Sequence, residues 1–126
     1  MSPHMDADAF ESRLQQEIDW AVEAWSIGNE GKARVCARRA AGLAIRYYFQ
    51  NSDDSSYAHD AVRALRRMVE DESVPETVRI AARRLAAKAK EEADRTTDPV
   101  GDALIIVTYF FPKKPSGGEW RRLSSE

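Results

Sequence analysis

Apolar side chains recur along this chain at steps of three and four. Between residues 8 and 27 they fall at Phe10, Leu14, Ile18, Ala21 and Trp25, which is one face of a helix. Trp20, Ala24 and Ile27 form a second stripe beside it, a width that suits a helix with two neighbours. Asp8 is the expected N-cap, with Glu11 three residues later. The pattern stops at residues 28–31, GNEG, where Gly28 stands in the position of a helix-ending residue with positive φ. A second helix is expected from about Glu30 to Gln50, with Cys36, Ala40, Leu43, Ala44 and Tyr47 as its stripe. So short a connection makes the two helices antiparallel neighbours.

Residues 51–56, NSDDSS, are turn and capping types. Ser55 or Ser56 is expected to cap a third helix ending near Val69, with Ala58, Ala61, Val62, Leu65 and Val69 inward. Pro75 opens a fourth helix, expected over 75–95, with Val78, Ala81, Ala82, Leu85 and Ala89 inward. Asp98 and Pro99 form another start signal, as N-cap and first helical residue. In the following VGDALIIVTYFF the β-branched residues favour a strand, whereas its length and the lack of a partner strand favour a helix. A fifth helix is expected there, apolar nearly all round. Such a helix is either central or touches another subunit, and Leu104, Val107, Phe110 and Phe111 are the expected oligomer contact. The expectation is an all-α, antiparallel up-and-down bundle over 8–111, with four long helices and a shorter apolar fifth. Residues 1–7 are expected to be disordered and 112–126 to form a flexible tail.

A chain of 126 residues is enough for one domain with a core of its own. Its single cysteine, Cys36, makes no disulfide within the chain. No secretory h-region and no apolar run near the ~20 residues of a membrane span are visible, so a cytoplasmic location without membrane contact is expected. The net charge of −2 is unevenly spread. Residues 1–31 carry seven acids and one base, residues 32–90 thirteen bases and seven acids, and residues 91–126 seven acids and five bases. A basic middle between acidic ends suits either an anionic ligand or an acidic first helix packed on basic ones.

Residues 28–33, GNEGKA, superficially suggest a phosphate-binding loop. That loop needs four residues between its glycines and a hydroxyl after the lysine. Here only Asn29 and Glu30 intervene and Ala33 takes the hydroxyl's place, so a bend is expected. Arginines at helical spacing are a better candidate. Arg38, Arg39, Arg63, Arg66 and Arg83, with His59, are the candidate anion or nucleic-acid contacts if their helices turn one joint face outward. Equally, they can be a solvated surface. His59, flanked by Arg63 and Arg66 on its helix, has the chemistry of a general acid or a phosphate contact, or else packs at the core's rim. Cys36 lies on the apolar stripe and reads as a small buried residue. No second Cys or His has metal-ligand spacing, no carboxylate pair is marked as catalytic, and no cofactor is implied. Lys113, Lys114, Trp120, Arg121 and Arg122 combine charge with a ring, as a tail that stacks on single-stranded nucleic acid would.

The order AVEAWSIGNEGKA, then CARRAAGLAIRYYF, then YAHDAVRALRRM, followed by two more helices, resembles the small all-helical HEPN-like domains. The resemblance spans roughly residues 10–111. Many members of that family are RNA-cleaving toxins marked by an arginine followed, four to six residues later, by a histidine. No histidine follows His59 here, and the nearest preceding arginine is Arg46, so the family's catalytic residues do not carry over. The resemblance therefore implies a non-catalytic branch that binds a partner, a nucleotide or RNA. The leading expectation is a non-catalytic interaction domain, homo-oligomeric or bound to a protein partner. An RNA-binding protein comes second and a divergent ribonuclease around His59 third.

Overall fold

The computed structural model describes residues 5–50, 60–88 and 97–120. All regular structure among them is helical: α1 (Ala7–Ser26), α2 (Glu30–Phe49), α3 (Ala61–Val69), α4 (Glu76–Ala86) and α5 (Pro99–Phe110). Two helices have 20 residues and the others 9, 11 and 12, so the expected set of four long helices and one short one is not what forms. The segment whose state the sequence left between helix and strand is helix as far as Phe110, with Phe111 as its C-cap.

Local chemistry sets the ends. Asp6, not Asp8, caps α1, its carboxylate accepting from the Ala9 N–H at 2.8 Å. Asp8 sits in the first turn, where a negative charge still favours the helix N-terminus. At the other end the Gly28 N–H donates to Trp25 and the Asn29 N–H to Ala24. With Gly28 at φ 82°, this is a Schellman cap. Asn29 then caps α2 by accepting from the Lys32 N–H. GNEGKA is thus a helix end and a helix start. Asp60 caps α3 and Asp98 caps α5. Ser55, Ser56, Ala58, His59 and Ala89 lie outside the described residues.

Helix α4 stops at Ala86 instead of running to 95, and Ala87 is already extended. The alanine-rich sequence would allow more helix. Tertiary contacts override it, because arginines of α2 and α3 take up the carbonyls at its end.

Helix α2 is the hub, in contact with every other helix. On one side Ala37, Ala41 and Ile45 meet Ala64, Leu65, Met68, Ala81, Ala82, Leu85 and Ile106. On the other, Ala40 and Ala44 meet Phe10, Leu14, Ile18, Val107 and Trp120. Gly42 permits a close approach of α3, since a Cβ there would lie 2.6 Å from that of Ala61. Helix α1 leans mainly on α2, so its second expected stripe is only partly covered: Ala24 is buried, but Trp20 and Ile27 remain 39% and 72% exposed.

Residues 112–120 are not a free tail. They fold back to α1, where the Ser116 N–H and Oγ both donate to the Glu11 carboxylate. The Trp120 indole is buried and donates to the Phe111 carbonyl at 3.0 Å. Positive φ at Gly117 and Gly118 makes the turn that returns the chain. No helix of the described residues is long and apolar enough to cross a membrane.

Candidate functional site

The candidate arginines separate into two groups. Arg38 reaches across from α2 to donate from Nε to the Leu85 carbonyl at 2.7 Å and from Nη2 to the Ala87 carbonyl at 2.9 Å. Arg66 of α3 approaches the Ala86 carbonyl at 3.5 Å. Two guanidiniums thereby cover three successive carbonyls at the C-terminus of α4, where orphan acceptors and the helix dipole both favour cations. Burial, with Arg34 and Arg66 close by, lowers the Arg38 pKa from its ordinary value.

Arg39, the next residue, is exposed and stands roughly 100° round α2 from Arg38. Arg63 and Arg83 are exposed. The structure thus brings Arg38 and Arg66 together and adds Arg34, without Arg39. His59 and the tail's Arg121 and Arg122 lie outside the described residues. Trp120, buried against Phe10 and Phe111, has no open ring face to offer a base.

An ion pair that spacing did not suggest ties α4 to α5. Arg84 grips Asp102 through Nε at 3.2 Å and Nη2 at 2.7 Å, and Asp102 is 3% exposed. The hydrogen bond to Asp102 raises the Arg84 pKa. Cys36 is buried as expected, and desolvation, followed by nearby Glu17, pushes its thiol pKa up. A thiol so placed is a poor nucleophile.

The expected oligomer contact is largely spent inside the chain. Val107 is fully buried and Leu104 packs against both halves of the core. Phe111 is half-buried against Phe10 and Tyr47. The apolar side chains that α5 leaves in solvent are Ile105 and Tyr109.

Phe110 leads to the most distinctive surface feature. Three helices end close together: α2 at Phe49, α3 at Val69 and α5 at Phe110. Between them lies a pocket of about 450 Å³ lined by Tyr48, Phe49, Asp71, Ser73, Val74, Tyr109 and Phe110. Its rings brace one another, with Tyr48 4.7 Å from Phe110 and 5.0 Å from Phe49, and Tyr109 4.9 Å from Phe110. Tyr48 is nonetheless 54% exposed and Tyr109 39%. Asp71 is held by its own turn, accepting from the Ser73 N–H and Oγ. The pairs Tyr48–Phe49 and Tyr109–Phe110 are visible in the sequence. Their convergence depends on α5 packing on α2, which the sequence pattern did not reveal. Comparison of the chain with family models, curated proteins and solved structures finds no match.

Proposed function

We infer that this chain is a non-catalytic helical-bundle domain that acts by binding another protein through the aromatic surface where α2 and α5 end. The observation that carries this reading is the exposure of Tyr48 and Tyr109 around the pocket. Exposed rings on a rigid rim are the residue type that dominates binding energy at protein interfaces. The partner is a different protein rather than a second copy, because α5 keeps Val107 and much of Leu104, Phe110 and Phe111 for its own core. In this reading the helices alternate up and down, the domain is cytoplasmic, and it is a non-catalytic HEPN-like branch. The helix order and the absent Arg–His spacing support that last assignment.

RNA binding ranks second. It retains the exposed Arg63, Arg66 and Arg83, but Arg38 is committed to α4 and exposed Arg39 stands roughly 100° round α2 from it. A photo-crosslinking residue in place of Tyr109, in cells that produce the chain, separates the readings. The expected result is one defined protein crosslinked from position 109 and none from the exposed position 77. Crosslinks only between copies of the chain would replace the partner with a homodimer. Crosslinks to RNA would promote the second reading, and no crosslink at all would sink the first.

A further inference from the structure

We propose that Arg34, Arg38 and Arg66 form a binding site for a phosphomonoester group at the C-terminal end of α4. The fold places two of the three guanidiniums. Arg38 donates to the Leu85 and Ala87 carbonyls and Arg66 approaches the Ala86 carbonyl between them, so side chains of α2 and α3 meet over one turn of backbone. Arg34 stands one turn before Arg38 on the same face of α2. The charged groups acting on Arg38 are these two cations, with no carboxylate among them. The described ion pairs, Arg13–Glu17 and Arg84–Asp102, leave all three arginines out.

Like charges gathered this closely repel one another, and the end of α4 offsets only about half a charge. The cluster is therefore short of an anion. A guanidinium has five N–H donors, of which Arg38 uses two and Arg66 one. Arg34 and Arg38 are half-buried and Arg66 is exposed, so a ligand can reach the donors that remain. Glu30, a turn before Arg34, carries an interaction of its own, and even at full strength its one charge leaves the cluster positive. Lys88 beside Ala87 and Arg67 beside Arg66 are likewise engaged, and the site needs neither. The layout selects the anion. Three guanidiniums around one point match a terminal phosphate, with close to two charges at neutral pH and three acceptor oxygens. A nucleic-acid backbone instead spreads single charges along a line. Arg39, which would extend the cluster along α2, is not among the cations acting on Arg38. None of the three lines the aromatic pocket, so this site stands or falls independently of it.

The test is a titration of the full chain with inorganic phosphate at constant ionic strength, followed by NMR of the arginine Nε–H signals. Dimethyl phosphate, a diester with one charge, is the control and should bind about tenfold more weakly or worse. Arg34→Gln removes a charge without touching the end of α4 and should weaken phosphate about tenfold, as should Arg66→Gln. Arg39→Gln removes the same charge from a neighbouring position and should change affinity less than about twofold. Glycerol 3-phosphate and Nα-acetyl-phosphoserine amide then distinguish a free metabolite from a phosphorylated side chain, and a preference for either supports the site. No shift at tens of millimolar phosphate, equal affinity for the diester, or equal losses in all three variants overturns the proposal. An oligoribonucleotide without terminal phosphate that binds more tightly than phosphate, and is weakened by the same two substitutions, would assign the cluster to RNA and overturn it as well.

Discussion

Arg38 is the residue whose meaning changes most between sequence and structure. Its position in CARRAAG suggests one of several cations on a surface, yet its guanidinium closes the end of another helix. Removing it would leave two carbonyls of a half-buried helix end without donors. Arg38→Ala should therefore cost about 2 kcal/mol, the scale of hydrogen bonds made by a charged group. Arg63→Ala, at an exposed site, should stay within about 0.5 kcal/mol. Urea unfolding of the two variants checks this. Similar effects at both sites would mean that Arg38 is surface charge after all. The sequence could not reveal the difference. Its periodicity gives α4 no reason to stop at Ala86, and Arg38's role exists only because it stops there.

At the scale of elements, local signals were the most legible. Gly28 takes positive φ, Asp98 and Pro99 start α5, and Phe10, Leu14, Ile18 and Ala21 are buried as their spacing requires. Each depends on a residue and its near neighbours. The errors came where a distant element decides. Trp20 and Ile27 were expected to be covered but stay exposed, and Trp120 was assigned to a free tail but found a site against Phe10 and Phe111. The aromatic pocket has the same character, since three chain segments build it and each alone is an ordinary helix end. Gly42 is another position whose neighbour is distant. The built Cβ would meet Ala61 Cβ at 2.6 Å and its Cα at 2.9 Å, and backbone cannot swing aside. Gly42→Ala should push α2 and α3 apart and destabilise by about 1–3 kcal/mol, despite the better helix propensity of alanine. Gly31→Ala, with open space around its Cβ, should be neutral or stabilising. Thermal melts of the pair test this, and a stabilised Gly42→Ala would refute the tight crossing.

For the whole molecule, the return of residues 112–120 to α1 links positions far apart in the chain and makes one contact sensitive to acid. Hydrogen bonds from the Ser116 side chain and backbone, with help from Lys114, hold the Glu11 carboxyl below its ordinary value. A depressed carboxylate stabilises fully above its unfolded pKa and loses that effect as pH falls through the folded one. The Trp120 indole N–H signal should therefore report release of this segment at pH values below the ordinary carboxylate range. In Glu11→Gln that step should vanish, leaving only global acid unfolding. An unchanged step in Glu11→Gln would assign the transition to another group.

The same contact affects how the protein is made. Phe10 stacks on Tyr47 at 3.9 Å, and Trp120 closes over its edge at 6.0 Å. On a translating ribosome the first of these residues emerges long before the last. At ordinary elongation rates, roughly 5–20 s separate the synthesis of Phe10 from that of Trp120. Through that interval the edge of Phe10 that Trp120 covers stays open to chaperones and to other nascent chains.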